Sequence, residues 1–95
     1  MKKEAPHHLG HRKRLKERYE KTGMEGLQDY EILELLLFYA IPQGDVKARA
    51  KELLKRFGSL KGVLDADLKA LREVPGIGEH SSLFFRVVRD VRTLY

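Results

Sequence analysis

The chain contains no cysteine. That excludes a disulfide framework and any thiolate metal site, and it fits a reducing cytoplasm. Tryptophan is also absent. Long apolar runs are missing: the longest, Leu35 to Ile41, falls far short of the ~18 residues that a membrane span needs. Met1 to His11 holds no apolar segment of the kind a secretory signal carries. Metal-ligand spacing is missing as well. His7, His8 and His11 are the only clustered histidines, no acid or thiol accompanies them at ligand spacing, and a zinc site needs about four defined ligands. No nucleophile–base pair can be assembled either. Ser81 and Ser82 directly follow His80, and adjacent helix positions do not face one another. The expectation is a single domain without metal, cofactor, membrane partner or catalytic residue, and therefore not an enzyme by itself.

What the chain does have is charge. Residues 1–24 hold eight Lys/Arg against three acids, whereas residues 25–95 hold eleven of each. The whole net charge of +5 therefore lies in the first quarter. A basic arm on a neutral body points to a polyanion, most often nucleic acid; the alternative is a solubilising, solvated terminus. The core of the arm is Arg12-Lys13-Arg14-x-Lys16-x-Arg18. On a helix Arg14 and Arg18 share a face and could lie along a phosphate backbone. Only Tyr19 is nearby to stack on a base, so any contact would be to phosphates and indifferent to sequence. The same residues could equally form a charged outer face paired with Glu17, Glu20 or the Asp29 segment.

Periodicity predicts helices throughout. Met1 to His8 reads as a flexible terminus, and a first helix spans Leu9 to Lys21 with a thin stripe of Leu9, Leu15 and Tyr19. Asp29 is the expected N-cap of a helix from Tyr30 to Tyr39 that is apolar almost all round, hence central; a buried strand is the rival reading, disfavoured by the scarcity of β-branched residues. After the turn Ile41-Pro42-Gln43-Gly44-Asp45, the residues Val46, Ala50, Leu53, Leu54 and Phe57 mark an amphipathic helix ended by Gly58. Ser59 opens a short helix, and Asp65 or Asp67 opens another. A last helix starts near Glu79 with an expected apolar face of Leu83, Phe84, Val87, Val88, Val91 and Leu94. That helix meets neither Gly nor Pro before Tyr95, as expected of a chain that continues into another domain.

Between the last two helices lies Val74-Pro75-Gly76-Ile77-Gly78. Two glycines around one apolar residue, just before a helix, place free backbone N–H groups and the positive end of a helix dipole together, which suits an anion. The turn near Pro42 echoes it thirty-three residues earlier, without the Gly-x-Gly spacing.

Leu71 to Ser82 resembles the helix-hairpin-helix motif, whose hairpin amides bind DNA phosphates without reading bases. That resemblance assigns Gly76, Ile77 and Gly78 to the hairpin and puts His80 where Lys or Arg is usual and Ser82 where alanine is usual. Glu79 departs from the pattern: a carboxylate in the first turn answers the dipole itself and repels phosphate. The hairpin could then serve only to set the angle between two helices. More widely, His8-x-Gly10-His11-Arg12-x-Arg14-Leu15, the Leu27 to Leu37 segment, Ile41-Pro42-x-x-Asp45-Val46-Lys47, Phe57-Gly58-Ser59-Leu60 and the hairpin, in that order, resemble the N-terminal region of RadC-like proteins. The resemblance implies a helix-hairpin-helix domain ahead of a JAMM-type metalloprotease-like domain, in a bacterial, cytoplasmic family associated with DNA repair.

The expected fold is all-α: a compact bundle of five or six short helices over residues 9–95, built from two helix-hairpin-helix-like units around Leu33, Leu36, Leu37, Phe57 and Val87. The expected partner is DNA, bound through Gly76, Ile77, Gly78 and His80, with His11, Arg12, Arg14, Lys16 and Arg18 in support. The alternative is an interaction or positioning domain for the C-terminal catalytic domain, without DNA binding.

Overall fold

A computed structural model describes residues 7–95, with side chains from Gly10 onward. Six α-helices make up most of it: α1 His7–Thr22, α2 Asp29–Ala40, α3 Lys47–Phe57, α4 Leu60–Asp65, α5 Leu68–Arg72 and α6 Glu79–Leu94, with one 3-10 turn at Met24–Gly26. The expected all-α class is what the chain adopts. The first helix begins two residues ahead of its expected start, so His7 and His8 are helical, and residues 1–6 of the proposed terminal arm lie outside the described residues.

Helix α2 is the centre. Leu33 and Leu37 are fully buried, and Leu35, Phe38 and Ala40 nearly so. Its N-cap is Gln28, not Asp29. The Gln28 side chain accepts from the Glu31 N–H while the Glu31 carboxylate accepts from the Gln28 N–H, and Asp29 becomes the first helical residue. The reciprocal pair satisfies two orphan donors where a lone Asp29 cap would meet one. Helices α3, α4 and α6 pack on α2, and α5 packs on α6. The predicted starts of the short helices hold. Ser59 Oγ accepts from Gly62 N–H at 2.9 Å, and Asp67, rather than Asp65, caps α5 through Ala70 N–H at 2.8 Å. Gly58 ends α3 with φ 84, a left-handed value that a side chain would strain.

The expected face of α6 needs correction. Val87 is 56% exposed, and Leu83, Val91 and Leu94 are exposed with it, so Val87 is not part of the core. The buried face is Ser81, Ser82 and Phe85, flanked by the half-buried Phe84 and Val88. Hydrophobicity alone selected the wrong side, because the small buried serines let α6 approach its neighbours closely while a second apolar stripe stays in solvent. Leu36 and Phe57 lie at the core's edge, half-buried against it. Its deepest members include Val46, Ala50, Leu53, Val63, Leu71, Val74 and Phe85.

Among its described residues, helix α1 docks largely by polar contacts. Leu15 is its one fully buried apolar residue among those described, and Tyr19 is 41% exposed. Among its described residues, charged groups of the basic arm make further contacts.

Candidate nucleic-acid interface

The basic arm divides between the two readings of its charge: Arg18 pairs with Glu31 in the Asp29 segment, Arg12 is buried, and other cations of the arm face solvent. Arg12 is buried with its guanidinium at the end of α2, where it donates to the carbonyls of Phe38 (3.1 Å), Ile41 (2.7 Å) and Gly44 (2.7 Å). It also lies 4.8 Å from the Phe38 ring centroid. A cation at a helix C-terminus meets both the dipole and the carbonyls that the helix cannot satisfy itself. Burial lowers the Arg12 pKa from the ordinary arginine value, and Asp45 opposes that shift. Arg18 grips Glu31 with both terminal nitrogens (2.7 and 3.2 Å) and donates to the Gly26 carbonyl at 2.9 Å. The hydrogen bond from Arg18 holds the Glu31 carboxyl below the usual range against the effect of burial. His11 Nε2 lies 3.0 Å from Oε1 of Glu34, a carboxylate with no solvent exposure whose Oε2 has no hydrogen-bond partner among the described residues. Lys16 sits 4.8 Å from the Tyr39 ring centroid. Of the arm, Lys13, Arg14, Lys16 and Lys21 present charge to solvent, while Arg12 and Arg18 are engaged in fastening α1 to α2.

The hairpin divides similarly. Val74 and Ile77 point into the core, at 1% and 3% exposure. Ile77 N–H donates to the Val74 carbonyl at 3.0 Å, closing the turn, so that amide is already used. Gly76 has φ 86, the left-handed conformation that requires glycine there. Gly78 is the N-cap of α6, has no side chain to cap with, and has open space where a Cβ would stand. Among the described residues, no protein acceptor meets the N–H groups of Gly78, Glu79 or His80, and all three residues are exposed. These amides are the part of the hairpin that can bind an anion.

Cations that the sequence reading missed flank this turn. The Arg49 side chain from α3 lies so close over Gly76 that any Cβ there would collide with it, and its Nη1 donates to the Asp45 carbonyl at 3.1 Å. Arg72, at the end of α5, donates through Nε to Ser82 Oγ at 2.8 Å, and Ser82 Oγ in turn donates to the Glu79 carbonyl at 3.0 Å. Arg56 reaches the Glu73 carbonyl at 3.4 Å while paired with Glu52 at 2.9 Å. An open cleft of about 330 Å3, lined by Ala48, Arg49, Glu52 and Pro75, runs beside the turn. Arg49 is twenty-seven residues from Gly76, and no local pattern could have linked them. Ser82 was the available signal for Arg72, since a hydroxyl needs a partner once buried.

Both halves meet at the α2–α3 turn: Arg12 holds the Gly44 carbonyl and Arg49 the Asp45 carbonyl. Among the described residues no group of three or more His, Asp and Glu side chains is placed to hold a metal ion, and no helix is long and apolar enough to cross a membrane.

Residues 7–83 match the model of the family described as UPF0758 N-terminal. A UPF0758 protein of Fusobacterium nucleatum is 41% identical over 85 residues, which are 90% of this chain and 37% of that protein. The chain thus spans little more than a third of that relative's length. No solved structure matches the chain. With a match that runs from α1 through the Val74–Gly78 turn into the start of α6, the chain belongs to the UPF0758 family, which is the RadC-like family, through that family's N-terminal region.

Proposed function

We propose that this domain is a sequence-independent DNA-binding module of the helix-hairpin-helix kind, associated with DNA repair. The observation that carries the proposal is the uncapped start of α6: the Gly78, Glu79 and His80 amides open to solvent, with Arg49 on Gly76 and Arg72 on Ser82 beside them. Free amides at a helix N-terminus attract a phosphate. The two arginines offset Glu79, which by itself disfavours one. Contacts of this kind reach the phosphodiester backbone and read no base. Arg14 and Lys16, exposed on α1, add long-range attraction for the same polyanion. Arg12 supports the site indirectly by securing the turn from which Arg49 is held.

A fluorescence-anisotropy titration of duplex and branched DNA against salt tests this. Binding should weaken with a log–log salt slope of roughly −2 to −4, as expected for three or four phosphates. Arg49→Ala and Arg72→Ala should each weaken binding and flatten that slope by about one unit. Absence of binding to either DNA at low salt ends the proposal.

A further inference from the structure

Helix α6 carries an apolar stripe that nothing among the described residues covers. Leu83, Val87, Val91 and Leu94 follow one another at intervals of 4, 4 and 3 along one side, at 42%, 56%, 53% and 74% exposure, while Phe85 on the core side is at 0%. Such spacing keeps the four on one helix face. Of the charges on α6, Arg89 pairs with Asp90 at 3.1 Å and Arg92 with Asp65 at 3.5 Å, while the half-buried Arg86 beside Val87 has no partner for its Nε among the described residues. With four exposed apolar side chains in a row and the exposed Asp90 carboxylate beside them, the surface suits an apolar protein partner better than a polyanion.

We propose that this stripe seats the C-terminal part of a UPF0758 polypeptide, packed back onto α6. The family match ends at Leu83, where the stripe begins, and covers what is named the N-terminal part of the family. In the Fusobacterium relative the matched part is 37% of the protein, leaving ample chain to supply the partner. Size chooses between this occupant and a second copy. A specific interface between separate molecules takes about 20–30 residues a side, and the stripe offers four. A covalently attached partner sits at an effective concentration near the millimolar range, so a much smaller apolar contact suffices to hold it. The proposal is independent of DNA binding and uses a different face of α6 from the hairpin amides.

Amide hydrogen exchange tests it in three preparations. They are the 95-residue chain, the intact Fusobacterium relative, and that relative with residues 1–95 grafted over its matched region. Exchange at residues 84–94 should be at least about tenfold slower in the graft than in the 95-residue chain. Val87→Asp with Val91→Asp should return it to the isolated-chain rate. The corresponding helix of the intact relative should be protected too. Equal rates in chain and graft overturn the proposal. So does slowing that survives the double substitution, since a merely extended helix would frays less in either case. If the graft does not fold, the intact relative decides, and an unprotected helix there is equally fatal. Concentration-dependent dimerisation of the 95-residue chain, seen by sedimentation and abolished by the same substitutions, would assign the stripe to a second copy instead.

Discussion

Arg12 Nη2 lies 2.7 Å from the carbonyl oxygen of Gly44, thirty-two residues away, and the next carbonyl in the chain, that of Asp45, is held by Arg49. A cation from the basic arm thus stabilises the turn that carries a cation to the hairpin. Its removal should register as lost stability first. Arg12→Ala is expected to cost about 2–3 kcal/mol, the scale for hydrogen bonds to a charged group together with carbonyls left unmet. Arg12→Lys should recover less than half, because an ammonium cannot span the three carbonyls as a planar guanidinium does. Urea denaturation followed by circular dichroism measures both; a near-neutral Arg12→Ala would show the bonds to be dispensable.

The two hairpin glycines should respond differently. Gly76→Ala forces a side chain into a left-handed backbone and into the Arg49 side chain, and is expected to cost at least about 1 kcal/mol. Gly78→Ala meets open space at an ordinary φ of −104, so its stability cost should stay below about 1 kcal/mol. If DNA phosphates approach the Gly78 amide, this second substitution should weaken binding while leaving the thermal midpoint almost unchanged. Equal DNA affinity for Gly78→Ala and the parent chain would move the contact away from Gly78.

The Arg18–Glu31 pair sets a dependence on acid. The Glu31 carboxyl is held below its ordinary pKa of 4.5, chiefly by the hydrogen bond from Arg18. A depressed carboxyl pKa contributes stability that is fully present above the unfolded value and lost as pH falls through the folded one. Below about pH 4.5, stability should therefore fall less steeply in Glu31→Gln than in the parent chain. Glutamine can retain the reciprocal cap with Gln28, so the comparison isolates the charge. Unfolding curves collected from pH 6 to pH 2.5, roughly the range over which carboxylates titrate, will show either converging lines or parallel ones, and parallel lines refute the assignment.

The orientation of α6 makes a sharp contrast. Phe85→Ala should cost about 3–5 kcal/mol, as deletion of a fully buried phenylalanine does. Val87→Lys should change the stability of the 95-residue chain by no more than about 0.5 kcal/mol, since Val87 is solvent-exposed. A severe loss from Val87→Lys would restore the face expected from hydrophobicity.

The legible parts of this protein are those written in local patterns. The apolar run of α2, the spacing along α3, the serine and aspartate caps of α4 and α5, and the glycine after α3 each depend on residues within a turn or two of one another. Helix propensity, capping and φ preference are interactions of that range. Sequence order alone also placed the chain among RadC-like proteins. Two local readings missed. Gln28 displaced Asp29 because a reciprocal cap with Glu31 satisfies two donors, and α6 turned serines inward because close approach to its neighbours favours small residues.

What only the tertiary structure decided is the use of each charge. In sequence, Arg12, Arg14, Lys16 and Arg18 are equivalent cations on one basic segment. In the fold, Arg12 caps α2, Arg18 clasps Glu31, and Arg14 and Lys16 face solvent. Arg49 and Arg72, unremarkable in sequence, come to flank Gly76 and Ser82. The physical reason is that a charge acts on whatever lies within a few ångströms of it. In this chain those neighbours are brought together from ten to thirty-two residues away, a separation that periodicity and motif spacing do not encode.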